Sequence, residues 1–234
     1  RLLMGKEKDV RMLTVYGYAR LVGFTRALEL APDILADIEV NEGREFVLKL
    51  REGHRWSDGA PFTSEDFRFW WEEVAKNEEL SKHGPPNLLR VDGEEPEVSF
   101  PDATTVIYRW SKPNPEFLPS LAGARPLYIY APKHYLKQYH ANYADKAKLE
   151  ALREKLGKRN WAGVYFKYNQ SSKPTNIKLP TLQRWIYTTM PPSERFLFRR
   201  NPYFHRVDAN GKQLPYIDEV EVNIASSSLV PAKT

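Results

Sequence analysis

The chain has 234 residues, of which 41% are apolar, 13% aromatic and 28% charged, with 35 basic against 30 acidic side chains for a net charge of +5. A disordered chain would hold fewer aromatics and more net charge per residue; no run reaches the ~18 uncharged apolar residues of a bilayer span, and scattered prolines without a sustained heptad exclude a fibre. The length allows one large domain or two small ones of about 100–200 residues, enough to bury a core without crosslinks.

In chain order, Glu45–Arg51 alternates, with Phe46, Leu48 and Leu50 on one face, and predicts a half-buried strand. Ser57-Asp58-Gly59-Ala60-Pro61 then turns the chain, because Asp-Gly tolerates positive φ and Pro blocks continuation. Thr63 suits an N-cap, with Asp66 at the capping-box position three residues on. Phe67, Trp70, Trp71 and Val74 follow at helical spacing and read as a core stripe, with an aromatic ligand box as the alternative. Ser81–Pro96 reads as loop, and Glu97–Phe100 with Thr104–Trp110 as a hairpin whose Val106, Tyr108 and Trp110 share a face. Pro132 opens a helix through Tyr139; a second helix spans Ala144–Leu156, with Leu149, Leu152 and Leu156 on a stripe and Gly157 as its stop. Strands are predicted at Leu182–Tyr187, Arg195–Arg199 and Glu219–Ile224, completing an α/β mixture.

Charge is uneven. Residues 72–97 hold eight acids against three bases, and residues 146–173 hold eight bases against Glu150 and Glu154. The basic stretch admits two readings, a nucleic-acid footprint or a solvated helix face followed by a charged loop. No zinc-finger spacing, Gly-rich recognition loop or stacking signature accompanies it, which favours the second. The chain starts at Arg1 without an initiator Met or signal segment and stops at Thr234 without a capping element. Both ends read as cut, so the missing leader says nothing about compartment. The absence of Cys removes disulfides, thiol catalysis and Cys-metal sites.

Enzyme and metal motifs fail one by one. There is no G-x-S-x-G, H-E-x-x-H, Walker A or G-x-G-x-x-G run. His134 and His140 stand six apart, a spacing that does not bring two ligands to one helix face. Asp208-Ala209-Asn210-Gly211 lacks the flanking acids of a calcium loop and reads as a turn. The expectation is a protein that is not an enzyme, with no cofactor and no metal.

Three stretches carry a resemblance. Residues 50–67 contain Trp56-Ser57-Asp58-Gly59-Ala60-Pro61-Phe62-Thr63 followed by Asp66; Ala131–Lys137 runs Ala-Pro-Lys-His-Tyr-Leu-Lys. Asn201-Pro202-Tyr203-Phe204 precedes Leu214-Pro215-Tyr216-Ile217-Asp218. In this order they resemble family 5 of the extracellular solute-binding proteins, the peptide-binding receptors of ABC importers. Many relatives place a G-P-Y element before the N-P-Y run. Pro180-Thr181-Leu182-Gln183-Arg184-Trp185 stands there instead and marks a sub-branch.

The resemblance implies a periplasmic-binding-protein-like (class II) mixed-sheet lobe carrying an additional α+β domain, within an incomplete bilobal receptor. Residues 1–45 would be the first segment of lobe I, 46–175 the additional domain, and 176–234 the return to lobe I, with the second lobe absent. The implied function is binding of a small solute, most simply a peptide, outside the cytoplasmic membrane and its delivery to ABC permease subunits. A receptor of the same family for an opine, oligosaccharide or chelated metal is the alternative, and a basic nucleic-acid module is the reading from another class. The implied receptor is a periplasmic monomer that binds no nucleic acid and touches the membrane only through the permease. Trp56, Ser57, Asp58, Gly59, Pro61, Thr63, Asp66, Asn201, Pro202, Tyr203, Pro215, Tyr216 and Asp218 are read as structural, and Tyr16, Tyr18 and Trp185 as aromatic candidates for a cleft wall, with core or hinge packing as the plainer reading of all three.

Overall fold

The alternating segment at Glu45 does form a strand, and its apolar residues Phe46, Leu48 and Leu50 are buried as the pattern requires. It belongs to a computed structural model that describes residues 2–4, 19–123, 127–171 and 173–225. In chain order the described elements are β1 (Leu2–Met4), β2 (Val22–Phe24), β3 (Leu30–Pro32), β4 (Leu35–Asn41), β5 (Glu45–Leu50) and α1 (Ser64–Phe69). β6 (Glu97–Asp102), β7 (Thr105–Arg109), α2 (Phe117–Ala122), α3 (Lys133–Leu136), α4 (Lys146–Lys155) and α5 (Trp161–Tyr168) follow. The last three strands are β8 (Trp185–Tyr187), β9 (Arg195–Arg200) and β10 (Glu219–Ile224).

The chain groups into two compact units. One comprises residues 19–54 and 61–134; the other comprises β1, residues 55–60 and the chain from Tyr135 onward. These are groupings by contact, distinct in kind from the lobe segments 1–45, 46–175 and 176–234, which refer to a whole receptor.

The first unit is built on an antiparallel sheet of order β4-β5-β7-β6 and a small β2-β3 ribbon. α1 starts at Thr63, whose hydroxyl caps the first turn while the Asp66 carboxylate returns to the Thr63 amide, the reciprocal cap expected from sequence. The helix continues as a π-helical turn, Trp70–Ala75. The wider turn lets Phe67, Trp70, Trp71, Val74 and also Phe69 and Ala75 be buried together, more than a strict α-helical stripe would cover. Thus the stripe is core. β4 has no counterpart in the sequence reading; it is an edge strand with one fully buried residue, Leu35, so it lacks an alternating apolar face.

Tyr108 sits at the centre of this core, its ring 5.0 Å from Phe117 and 6.0 Å from Trp110. Its hydroxyl is buried with no hydrogen-bond partner among the described residues, and burial pushes the phenol far above its ordinary range. Replacing Tyr108 with Phe removes a desolvated polar group without opening a cavity. The expected result is unchanged stability or a gain of up to about 1 kcal/mol in denaturant unfolding. A loss of that size would mean that the hydroxyl has a partner worth keeping.

The second unit holds a mixed sheet of order β1-β10-β9-β8, with β1 parallel to β10 and the other pairs antiparallel. Trp185, Phe196, Phe198 and Val222 form its buried cluster, and Tyr187, Val220 and Ile224 pack against it. The opposite face carries charged cross-strand pairs, Arg195 with Glu221 and Arg199 with Glu219. The strand predicted over Leu182–Tyr187 is shorter and begins at Trp185, because Thr181 and Gln183 are drawn into side-chain hydrogen bonds instead of a ladder. α4 begins after Asp145, whose carboxylate accepts the Lys148 amide, and Leu149 is its buried anchor. The stretch read as a charged loop contains α5, capped by the Asn160 side chain on the Gly163 amide.

Candidate functional site

A shallow pocket opens in the second unit between β8 and the segment around Asn176, about 370 Å³ of space that includes open solvent. Its aromatic wall is Trp185 and Tyr187, two residues apart and therefore on one side of the strand. Ile177, Leu179 and Pro180 add apolar surface, while Gln170, Ser171, Asn176 and Thr181 supply amides and hydroxyls. Lys173 is the one charged residue on the described lining, which includes no carboxylate. The arrangement suits an uncharged, partly apolar solute able to exchange hydrogen bonds.

β8 ends the described sheet. The Arg184 carbonyl accepts the Asn201 amide and the Thr188 amide donates to the Leu197 carbonyl, so hydrogen-bonded positions alternate through Ile186. The amides and carbonyls of Trp185 and Tyr187 therefore point away from β9.

The walls are pinned by half-buried side chains and by the buried Asn201. Asn176 donates to the Tyr168 carbonyl at 2.7 Å and accepts from the Tyr135 hydroxyl at 3.1 Å. Tyr139 stacks on Tyr168 with ring centroids 3.9 Å apart, behind Tyr135. Burial, and then contact with Tyr135, holds the Tyr139 and Tyr168 phenols above their ordinary range, so both stay neutral. Thr181 exchanges two 3.0 Å bonds with Ser57: the Ser57 amide donates to the Thr181 carbonyl, and the Thr181 amide donates to the Ser57 hydroxyl. Asn201 is fully buried; its amide nitrogen donates to the Gln183 carbonyl at 2.9 Å, and its oxygen accepts the Tyr203 amide at 2.9 Å.

The residues singled out from sequence divide as follows. Trp185 lies on the pocket wall and is also core, 6% exposed. Tyr16 and Tyr18 lie outside the described residues. Trp56 is buried and closes a tight turn, accepting the Gly59 amide and donating its own amide to the Ala60 carbonyl, with Asp58 accepting the Ala60 amide. Gly59 has φ +88°, a conformation that favours glycine, and a Cβ there would crowd the Tyr203 hydroxyl at 3.1 Å. Pro61, Thr63 and Asp66 belong to the α1 entrance in the other unit. Pro202 carries a carbonyl that accepts from Gln213, and the Pro215 carbonyl accepts from Arg200. Tyr216 donates to Asp208, holding the loop that was read as a turn, and Asp218 accepts the Arg200 amide and pairs with its guanidinium at 3.2 Å.

The sequence reading missed Gln170, Asn176, Thr181 and Tyr187 as pocket residues. The available signal was the Trp185/Tyr187 alternation beside the Pro180-Thr181 departure. Among the described residues no group of three His, Asp or Glu side chains is arranged to hold a metal, and no helix is long and apolar enough to cross a membrane.

A family model described as bacterial extracellular solute-binding proteins, family 5, middle, matches residues 29–233. The periplasmic alpha-galactoside-binding protein of Rhizobium meliloti is 28% identical over 187 residues, covering 79% of this chain and 24% of that protein. Among solved structures, the oligopeptide-binding protein OppA superposes with a TM-score of 0.85 at 30% identity, over 100% of this chain and 36% of the other. The periplasmic binding protein MelB of Agrobacterium fabrum, in complex with stachyose, has a TM-score of 0.65 at 24% identity over 93% of this chain and 30% of its own, a likeness of fold. The chain thus spans about a quarter to a third of the length of these relatives.

Proposed function

The chain belongs to the family 5 bacterial extracellular solute-binding proteins, and from that membership we propose that it is part of the extracytoplasmic receptor of an ABC importer that takes up a short peptide. The observation that carries the peptide reading is the pocket lining, where apolar Ile177, Leu179 and Pro180 stand beside the amide and hydroxyl groups of Gln170, Asn176 and Thr181. A short peptide can exchange backbone hydrogen bonds with those polar groups and seat uncharged side chains against Ile177 and Leu179. A second reading, a neutral oligosaccharide, is favoured by the aromatic wall with amides and no carboxylate, and by the name of the Rhizobium relative. Neither reading assigns any catalytic residue.

In the proposed receptor, residues 1–45 and 176–234 belong to lobe I and 46–175 to the additional domain. Solute lies between two lobes, and the complex is handed to permease subunits. Closure requires that solute prefer the closed form, which a single lobe cannot provide. If a micromolar site of about −8 kcal/mol is shared equally, one lobe alone binds only at about millimolar.

Calorimetry on the full-length receptor tests the reading. Defined uncharged tri- to pentapeptides are expected to saturate it, and alpha-galactosides to leave it unchanged. The reverse outcome would replace the peptide reading with the sugar one, and failure of both would overturn the pocket as a solute site. Trp185→Leu keeps an apolar group in the cluster while removing the indole wall. Solute affinity is expected to fall about tenfold or more, some 1.4 kcal/mol. Unchanged affinity would return Trp185 to a purely core role.

A further inference from the structure

Residues 143–178 contain nine bases and three acids, a net of +6, so the rest of the chain nets −1 against the total of +5. Among the described residues, ion pairing within the stretch is confined to Arg153. Arg153 pairs with Glu150 at 2.6 Å and with Glu154 at 3.6 Å, and donates to the Lys158 carbonyl at 2.9 Å. The third acid, Asp145, is used as the cap of α4. Among the described residues this leaves Lys146, Lys148, Lys155, Lys158, Arg159 and Lys167 without a carboxylate partner.

Two details distinguish this surface from a merely solvated one. The Lys158 side chain lies over Gly163 of α5, where an added Cβ would meet it at 3.3 Å, so its stem is held against the helix. Phe166 and Lys167 follow Gly163 at three and four residues, which puts a large aromatic on the same helix face as the two lysines. Phe166 is 44% exposed there, and Tyr143, just ahead of α4, is 46% exposed. Cations interleaved with half-exposed aromatics match the layered chemistry of an anionic bilayer surface, with phosphates outside and acyl chains beneath.

We propose that the α4–α5 face is a docking surface for anionic phospholipid, holding the receptor at the membrane where its permease lies. This goes beyond the solute reading, rests on it only for the extracytoplasmic setting, and replaces the expectation that membrane contact runs through the permease alone. Each lysine or arginine near such a surface strengthens binding severalfold, and the effect fades with added salt. Nucleic acid would satisfy the cations but would gain nothing from aromatics placed without a stacking motif.

The test is co-sedimentation of the full-length receptor with phosphatidylcholine vesicles containing about 30 mol% phosphatidylglycerol, against pure phosphatidylcholine and against a DNA duplex. Binding is expected on the anionic vesicles alone, weakening at least tenfold between about 0.05 and 0.5 M salt. The triple variant Lys155→Glu, Arg159→Glu, Lys167→Glu is expected to bind at least tenfold more weakly. Phe166→Ser is expected to weaken vesicle binding about threefold while leaving any residual duplex binding untouched. Circular dichroism checks folding; if the triple variant does not fold, the salt series and Phe166→Ser decide. No sedimentation at low salt, charge reversal without effect, or duplex binding as tight as vesicle binding would each overturn the proposal. Solute calorimetry on the same preparations separates the two readings, since a receptor that binds vesicles but no solute loses only the solute assignment.

Discussion

Asp66→Ala is expected to destabilise the unit formed by residues 19–54 and 61–134 by about 2–4 kcal/mol in denaturant unfolding. The side chain is 3% exposed and both its oxygens are engaged. One accepts the Thr63 amide at 3.2 Å and closes the cap of α1; the other accepts the Lys133 amide at 3.1 Å and fixes the start of α3. Removing the carboxylate strands two backbone donors at once, each costing roughly 1–2 kcal/mol when buried. Thr63→Ala removes only the outer half of the cap and should cost about 1 kcal/mol. The comparison isolates the long-range bond: equal losses for the two variants would show that Lys133 finds another acceptor.

Asn201→Ala should cost the sheet-bearing unit a similar 2–4 kcal/mol. The fully buried amide is donor to the Gln183 carbonyl, more weakly to the Thr181 carbonyl at 3.4 Å, and acceptor for Tyr203. No other side chain of that size offers donor and acceptor in the same plane. Asn201→Asp supplies the sharper test because it is isosteric. An ionised carboxylate would face two carbonyls, so its folded pKa must rise above the unfolded value of about 3.9. Such a group loses stability as pH climbs through the carboxylate range and regains it when protonated, because an acid held neutral in the fold binds its proton more tightly there than in the unfolded chain. Asn201→Asp is therefore expected to unfold more readily at pH 7 than at pH 4, relative to the parent chain at each pH. A pH-independent deficit would mean that the carboxylate finds water or a cation. Because Thr181 is also a pocket residue, both variants should weaken solute binding in parallel with stability.

Legibility in the sequence followed the reach of each interaction. β5, α1, the β6–β7 hairpin and α4 are set by local periodicity and caps, and all were readable. α5 was not, since Gly163 and four aromatics in eight residues make a weak intrinsic helix; it is held by packing, and Asn160 was the only local cue. β4 was hidden by its edge position and its irregular register between Leu35 and Asp37. The turn motifs could be recognised because each position has a steric or capping duty, of which Gly59 against Tyr203 is the clearest. The pocket was legible at Trp185 alone. Its other wall, residues 170–181, has no period, and its shape comes from bonds to Ser57, Tyr135 and Tyr168 that no window of sequence contains.

The parallel pairing of Leu2–Met4 with Val222–Ile224 has a consequence for the order of assembly. Synthesis from the N-terminus makes β1 long before β10, so the pairing of β1 with β10 must wait while the segments between them are produced. The contact it waits for joins residues as far apart in sequence as Leu2 and Val222, the kind that closes slowly. The β4-β5-β7-β6 sheet draws its strands from a short stretch between Leu35 and Arg109 and needs no such wait. Whatever guards the nascent chain must therefore shield one early strand through a long interval, until β10 pairs with both β9 and β1.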